Sequence, residues 1–241
     1  MINQNIINAR VIAAILAAAS LVHGAERSDV PAKHKYVAEV AKLAALPVPA
    51  AGGILMVGSS IFRKWDSCAQ DLAPLPVTNR GFGGSQTEDQ LYFFDKIVPS
   101  SRAALVVWYC GSNDINAKKT PDSILQRTKE WIGRTQASLP GVHILLVSVI
   151  RAPQKRDLGY SPQVAEVNKG LLALASGQPG LSYLDVNPVL ETPAGEPVME
   201  CYVADRLHLT PEGYHRMVAV LRPIIDRNWK TPSEQTAPHA P

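Results

Sequence analysis

Two serines, an aspartate and a histidine are the residue types that nucleophilic catalysis needs. Ser59 and Ser60 follow an apolar run near the start of the chain, and Asp205 and His208 lie near its end. A serine hydroxyl is a weak nucleophile until a base takes its proton, and imidazole, which titrates near neutrality, is a suitable base. A spacing of three residues on one tight turn lets the carboxylate of Asp205 accept the Nδ1 proton of His208, which leaves Nε2 to face a serine. These residues predict acyl transfer through a serine nucleophile.

Acyl transfer also needs hydrogen-bond donors for the oxyanion that forms on the attacked carbonyl group. The glycine-rich segment NRGFGGS (79–85) offers backbone N–H groups with no side chain in the way, and Asn113 offers a side-chain amide. The N–H of the serine itself, near the start of a helix or turn, would be a third donor. Gly81 and Gly83 are interpreted as turn residues with positive φ, and Asp114 as a structural turn or cap residue.

The elements that must position these residues alternate between apolar runs and helical segments. Five apolar runs predict strands, at 53–57, 76–79, 103–109, 143–150 and 181–186. Two of them, ALVVWY and HILLVSVI, are nearly all apolar, which is typical of strands buried on both faces of a parallel sheet. Helical patterns lie at 33–46, 87–97, 121–139, 161–174 and 210–229, and Thr120 is the predicted cap of the third. The alternation predicts an α/β fold, a three-layer α/β/α sandwich with about five parallel strands.

Four short blocks each follow a predicted strand, at the edge where α/β folds bind ligands. They are GSSI (58–61), NRGFGGS (79–85), GSND (111–114) and DRLH (205–208). In order and separation they resemble the four blocks of the SGNH hydrolase (GDSL-like esterase/lipase) superfamily, and the resemblance covers about residues 50–225. It implies a flavodoxin-like sandwich with Ser60 as nucleophile, Asp205 and His208 completing the triad, and Gly84, Asn113 and the Ser60 N–H as oxyanion donors.

One departure from the family concerns the first block. The family commonly has Gly-Asp-Ser-Leu, and here Ser59 stands in place of an aspartate that the mechanism does not need. The variant GSSIFRxW, together with NRGFGGSQ and CGSNDI, resembles a bacterial subgroup of secreted SGNH proteins.

Three residues beside these blocks are candidate substrate-binding groups, namely Arg151, Phe82 and Ser59. Arg151 follows the fourth predicted strand, where it either binds a substrate carboxylate, phosphate or sugar hydroxyl or pairs with a nearby acid. Phe82, with Trp65 and Tyr109, is a candidate wall of an acyl pocket, although core packing is the stronger interpretation for Tyr109. No set of metal ligands stands out, so no metal and no cofactor are expected.

The composition favours some partners over others. With 24 basic and 21 acidic residues the net charge is +3, and no basic run exceeds two residues, so no nucleic-acid partner is predicted. The 241 residues suit one domain with a sizeable core. The three cysteines, Cys68, Cys110 and Cys201, allow at most one disulfide. Cys110 ends an apolar run and is predicted to be a buried free thiol.

The N-terminus has the pattern of a secretory signal. Arg10 precedes the apolar block VIAAILAAASLV (11–22), which is too short for a membrane helix, and short residues follow it before Gly24. We therefore expect a signal peptide over 1–24, a hydrolase domain over 25–230 and a flexible tail over 231–241. The protein would be secreted or periplasmic, with no stable membrane insertion after cleavage.

The residues and the resemblance together predict a serine esterase that forms an acyl-enzyme. Its expected substrates are short acyl esters or O-acetyl groups on carbohydrates. Two alternatives stay open from the sequence. One is a lysophospholipase or thioesterase with the same site, and the other is a non-catalytic glycan-binding protein on the same fold.

Overall fold

The computed structural model describes residues 33–47 and 52–229. The expected signal peptide (1–24) and flexible tail (231–241) lie outside the described residues and stay predictions. From Tyr36 onward the described residues belong to one compact unit, and the sheet, its helices and the candidate site all lie in it.

A single sheet of five parallel strands forms the centre of this unit. Its order is β2-β1-β3-β4-β5, and β1 lies between β2 and β3 with Met56 opposite both Asn79 and Val107. The strands are β1 (Ile54–Gly58), β2 (Val77–Asn79), β3 (Leu105–Tyr109), β4 (His143–Val147) and β5 (Leu181–Leu184). The predicted α/β fold with a five-stranded parallel sheet is therefore confirmed.

The fourth strand is shorter than its apolar run, which continues to Ile150. The N–H of Ser148 still donates to the carbonyl of Leu184 at 2.9 Å. Beyond Ser148 the backbone leaves the ladder and bonds to side chains instead. The N–H of Val149 donates to Asn168 Oδ1 at 2.7 Å, and the N–H of Arg151 donates to Asn187 Oδ1 at 2.6 Å. Burial continues past the end of the strand, so apolarity alone could not mark where the ladder stops.

Helices cover both faces of the sheet. In the described part of the chain they are α1 (Val37–Ala44), α2 (Ser60–Arg63), α3 (Cys68–Asp71), α4 (Thr87–Tyr92), α5 (Phe94–Ile97), α6 (Ser112–Asn116), α7 (Pro121–Ser138), α8 (Pro153–Asp157), α9 (Ser161–Ala175), α10 (Asn187–Leu190) and α11 (Pro211–Asn228). Short 3-10 helices lie at Lys33–Tyr36, Pro99–Ser101 and Met199–Cys201.

Alternate residues of each inner strand enter two separate apolar cores, as a sheet with helices on both faces requires. Leu55 and Trp108 belong to the core that contains α7 and α9. Met56 and Tyr109 belong to the core under α11. The two faces together make the three layers of the sandwich.

Long helices follow the sequence pattern, and short ones do not. Thr120 caps α7 as predicted, accepting a hydrogen bond from the N–H of Ser123 at 3.3 Å. The predicted helix at 87–97 is broken at Phe93 into α4 and α5. The sequence analysis missed five helices of four or five residues, because about one turn is too short for a hydrophobic period. These are α2, α3, α6, α8 and α10, and two of them, α2 and α6, directly follow strand ends in the candidate site.

Cys68, Cys110 and Cys201 are all buried free thiols, so the disulfide that the count allowed is not formed. Burial raises the pKa of Cys68 to about 12 and that of Cys110 well above its ordinary value. The prediction for Cys110 is confirmed. Among the described helices, none combines the length and apolarity that crossing a bilayer requires.

Candidate active site

The two serines stand on a sharp turn between β1 and α2. Gly58, the last residue of β1, has a φ of 149°. A Cβ at this position would lie 1.9 Å from the carbonyl oxygen of Tyr109 on β3, so only glycine fits. The N–H of Ser59 donates to the same oxygen at 3.0 Å. This turn buries Ser59 completely and leaves Ser60, the first residue of α2, partly exposed.

His208 connects Ser60 with Asp205. Its Nε2 atom lies 2.9 Å from Ser60 Oγ, and its Nδ1 atom lies 2.6 Å from Asp205 Oδ2. When Nδ1 carries the ring proton and donates it to the carboxylate, Nε2 is free to accept the serine proton. Ser60 and His208 are 148 residues apart in the chain, so tertiary folding alone brings them together.

Three hydrogen bonds stabilise the carboxylate of Asp205. Its Oδ1 atom accepts the N–H groups of Leu207 at 3.0 Å and His208 at 2.9 Å, and its Oδ2 atom faces the ring of His208. Partial burial works against ionisation, but these hydrogen bonds more than offset it and lower the pKa of Asp205 to about 2. Asp205 is therefore an anion at any physiological pH, as a group that orients an imidazole must be.

The segment that carries both residues, here called the acid–base loop (residues 203–208), is closed at its ends. The N–H of Val203 donates to the carbonyl of His208 at 2.9 Å, and Tyr202 pairs with Leu209 in an antiparallel bridge. The loop lies at the surface: the Asp205 side chain is 44% exposed, whereas that of His208 is 14% exposed.

The glycine turn (residues 81–85) is attached to the end of β1. The N–H of Phe82 donates to the carbonyl of Gly58 at 3.0 Å. Gln90, buried on α4, donates from Nε2 to that carbonyl at 2.9 Å and to Ser85 Oγ at 2.8 Å. Gly84 is exposed with a φ of 73°. In the described part of the chain no acceptor takes its N–H, so this N–H is available as a donor.

The other two glycines of the turn differ from their interpretation. Neither Gly81 nor Gly83 has a positive φ, so the predicted conformation is wrong for both. Gly81 is needed for a different reason, because a Cβ there would lie 2.9 Å from the backbone nitrogen of Arg63. The turn is packed directly against α2.

Asn113 lies in the first turn of α6, directly after β3. Its Nδ2 atom donates one hydrogen to the carbonyl of Ser85 at 2.9 Å, which leaves the second amide hydrogen for another acceptor. The neighbouring Asp114 is fully buried and accepts the N–H of Thr87 at 3.1 Å and its hydroxyl at 2.6 Å. The structural role predicted for Asp114 is confirmed. These contacts join the glycine turn, α4 and α6 into one assembly beside Ser60.

Two of the three candidate substrate-binding residues, Phe82 and Ser59, are buried. Phe82 is fully buried and packs edge-on against Tyr36 and Phe93, so it does not line an accessible pocket. Ser59 is fully buried too, with its hydroxyl inaccessible to a substrate. Both expectations are wrong for one reason: neither side chain has any surface that a substrate could reach.

The sequence allowed Arg151 either to bind substrate or to pair with a nearby acid. In the structure it forms an ion pair with Glu191. Its Nε and Nη2 atoms donate to the two oxygens of Glu191 at 2.7 and 2.6 Å. The Arg151 side chain is 39% exposed and that of Glu191 is 8% exposed. The hydrogen bonds to Glu191 raise the pKa of Arg151 further. The guanidinium at the end of β4 is thus neutralised by a nearly buried carboxylate.

Sequence reasoning missed three polar residues that brace the site: Gln90, Lys155 and Glu191. Each lies within or beside a short segment, and no local pattern distinguishes them from surface residues. Lys155 is fully buried, although it is directly followed by a second basic residue, Arg156. Among the described residues, no three His, Cys, Asp or Glu side chains are grouped as metal ligands would be.

A family model identifies the protein family to which the chain belongs. The family model described as GDSL-like Lipase/Acylhydrolase matches residues 56–216, which span all four blocks, and the chain belongs to this family. No curated protein matches the chain.

Solved structures share the fold at low sequence identity. A chain from Streptococcus pneumonia has a TM-score of 0.69 at 23% identity, with 80% of this chain and 92% of that chain covered. A GDSL-like lipase from Bacteroides thetaiotaomicron has a TM-score of 0.68 at 21% identity, with coverages of 81% and 97%. A carbohydrate esterase of family 3 from Talaromyces cellulolyticus has a TM-score of 0.58 at 14% identity, with coverages of 73% and 97%.

Proposed function

We propose that this protein is a serine esterase that hydrolyses carboxylic esters through Ser60, His208 and Asp205. The observation that carries the proposal is the position of His208. Its two ring nitrogens lie at hydrogen-bond distance from the Ser60 hydroxyl and the Asp205 carboxylate. Membership of the acylhydrolase family supports the same reaction class.

The reaction proceeds in two halves. Ser60 Oγ attacks the ester carbonyl carbon while its proton passes to Nε2 of His208. The carbonyl oxygen becomes an oxyanion that accepts hydrogen bonds from the Ser60 N–H, the Gly84 N–H and Asn113 Nδ2. The C–O bond to the alcohol then breaks, and the alcohol leaves with the proton from His208. Water attacks the acyl-enzyme with His208 as base, which releases the acid and restores the Ser60 hydroxyl.

The charges at the edge of the sheet favour an uncharged ester as substrate. In the Arg151–Glu191 pair, the carboxylate neutralises a guanidinium that was a candidate to bind a substrate carboxylate or phosphate. Acetyl and short acyl esters, including O-acetyl groups on neutral carbohydrates, need no cation for recognition. A phosphate-bearing lysophospholipid or an acyl thioester of a nucleotide carrier would need one. On the signal-like pattern at 11–22 we also propose that the protein acts outside the cytoplasm.

The test is hydrolysis of p-nitrophenyl acetate and butyrate by the wild type, Ser60→Ala and Ser59→Ala. We expect Ser60→Ala to lose all measurable turnover and Ser59→Ala, a change at a buried hydroxyl, to retain it. Labelling with a fluorophosphonate probe should follow the same pattern. A wild type that neither turns over the esters nor labels would overturn the proposal in favour of the glycan-binding alternative.

Glu191→Gln tests the substrate class. The variant keeps the shape of the ion pair but leaves Arg151 as an uncompensated cation, so KM for an ester with an anionic acyl group, such as a p-nitrophenyl succinate monoester, should fall about tenfold. KM for p-nitrophenyl acetate should stay unchanged. Glu196→Gln, which breaks an exposed ion pair with Arg156, is the matched control. If the wild type already has a higher kcat/KM for the succinate ester than for the acetate ester, the assignment of a neutral ester substrate is wrong.

A further inference from the structure

Helix α8 (Pro153–Asp157) lies between the two halves of the candidate site. On one side, Lys155 Nζ donates to the carbonyl of Ser112 at 2.8 Å and to Asn116 Oδ1 at 2.6 Å. On the other side, the N–H of Gln154 donates to the carbonyl of Arg206 at 2.9 Å. One turn of helix thus contacts both α6, which carries Asn113, and the acid–base loop. The reaction described above uses none of these α8 residues.

The ammonium group of Lys155 is an unusual feature of this contact. Its side chain is 0% exposed, and both of its acceptors are uncharged oxygens. A buried charge without a counter-ion is costly, and proteins ordinarily hold one only when hydrogen bonds satisfy it. Burial lowers the pKa of Lys155 to about 8, so the group is a cation at neutral pH and loses its charge under mildly alkaline conditions.

Charged groups on the neighbouring elements are occupied elsewhere. On α6, Asp114 is bound to Thr87. On α8, Arg156 pairs with Glu196 and Asp157 pairs with Arg206 of the acid–base loop. Helix α9 contributes only the exposed side chains of Glu166 and Lys169. Among the described residues, therefore, no carboxylate neutralises the Lys155 ammonium.

The two acceptors of Lys155 lie on either side of Asn113. Ser112 opens α6 and Asn116 closes it, so both ends of this five-residue helix are tied to a single nitrogen atom. The side chain of Asn113 has one described hydrogen bond, to the carbonyl of Ser85. A small rotation of α6 would turn the free amide hydrogen of Asn113 away from the substrate. An oxyanion donor is effective only when it is held in place before charge develops.

We propose that Lys155 is a positioning residue for the oxyanion hole. It fixes α6 so that the Asn113 amide points at the developing oxyanion, and its buried positive charge behind the amide favours that anion. The inference rests on the proposed esterase function, because it assigns Lys155 to the same site. Hydrogen bonds from an ammonium are about twice as strong as those from a neutral amine. The hydrogen bonds from Lys155 to α6 therefore weaken as the pH rises through about 8.

The experiment compares Lys155→Met, Lys155→Arg and a matched control, Lys169→Met, in p-nitrophenyl acetate hydrolysis from pH 6 to 10. Lys155→Met should lower kcat about tenfold at pH 7, with KM within twofold, since a misplaced oxyanion donor weakens transition-state stabilisation and not ground-state binding. Lys169→Met should match the wild type. Wild-type kcat should fall above about pH 8, and Lys155→Arg, which stays charged, should recover activity at pH 7 and lack that fall.

Asn116→Asp provides a second variant that does not empty the buried site. A carboxylate beside the ammonium raises its pKa, so the alkaline fall in kcat should move to higher pH. The inference is overturned if Lys155→Met folds with wild-type kcat, if its loss lies in KM alone, or if Asn116→Asp leaves the alkaline limb in place. The wild type and Ser60→Ala, run alongside, separate these outcomes from a failure of the esterase proposal, in which the wild type itself is inactive.

Discussion

The two halves of the candidate site are built in different ways. The half proposed to bind the oxyanion, here called the oxyanion half, consists of the turn after β1, the glycine turn and α6. It is held by buried groups: Gln90, Asp114 and Lys155 are each nearly or fully inaccessible. The acid–base loop lies at the surface, and its link to α8 includes an ion pair, Arg206–Asp157, whose side chains are 47% and 49% exposed.

This difference matches what each half must do. Oxyanion donors stabilise a charge that exists only in the transition state, and a misplacement of about 1 Å can cost 10²-fold in rate. A histidine that accepts a proton from serine and then donates it to a leaving group tolerates a more open setting. Binding and catalytic loops are commonly placed on a rigid scaffold in this way. We expect substitutions in the acid–base loop to lower activity with little effect on thermal stability. Substitutions in the oxyanion half should lower both activity and thermal stability.

The largest effect is expected from Asp205→Asn. An amide cannot hold the Nδ1 proton as a carboxylate does, so the imidazole takes the wrong tautomer, and kcat should fall by about 10³-fold or more at pH 7. The melting temperature should change little, because the side chain is at the surface. Steady-state kinetics and circular dichroism measure the two quantities. A loss below tenfold would mean that Asp205 only braces the loop and that Ser60 and His208 act as a pair.

Next in size is Asn113→Ala, which should lower kcat by about 10²-fold with KM nearly unchanged, as removal of an oxyanion donor does. It also removes the contact with Ser85, so a measurable loss of thermal stability should accompany it. Asn228→Ala is the control, because Asn228 donates to Ser182 Oγ at 3.3 Å at the opposite end of the sheet. An unchanged kcat would remove Asn113 from the site.

The pH profile tests the acid–base loop as a unit. Because the pKa of Asp205 is lowered to about 2, this carboxylate stays ionised throughout the range from pH 4 upward. The base must be neutral to accept the serine proton, so protonation of this one group should lower kcat/KM on the acid side by about tenfold per pH unit, with a limiting slope of one. Any stability that the Asp205 hydrogen bonds provide is present above its unfolded pKa and lost only as the pH falls through about 2. A flat profile down to pH 4 would exclude His208 as the base.

The smallest effect is expected from Asp157→Asn. It breaks the exposed ion pair with Arg206, and such pairs contribute at most about 1 kcal/mol. The backbone bond from Gln154 to Arg206 is retained, so kcat should stay within twofold of the wild type. A tenfold loss would show instead that the acid–base loop is held as strictly as the oxyanion half, and the contrast between the halves would disappear.

Much of the fold could be predicted from the sequence, since long elements carry repeated signals. The runs at 103–109 and 143–150 are dense in branched apolar residues, and α7 has a cap, a proline and many turns of periodic pattern. Helices α6 and α8 have one turn each, and nothing in one turn distinguishes a helix from a loop. These two short helices are the ones that hold Asn113 and Lys155.

By itself, the sequence determined the residue types and their order: a serine, a glycine-rich turn, an asparagine and an Asp/His pair, each after a strand of a parallel sheet. Parallel topology then places the first three at one edge, because the carboxyl ends of parallel strands face the same way. The Asp/His pair lies well beyond the end of β5 (Leu181–Leu184), so its position depends on tertiary folding. Only the tertiary structure decided the neighbours of each group. Ser60 is partly exposed, whereas Ser59 is buried. Arg151 pairs with Glu191, and the three cysteines remain unpaired. Lys155 donates hydrogen bonds to both ends of α6. These outcomes depend on packing between segments far apart in the chain, and local sequence patterns carry no information about such contacts.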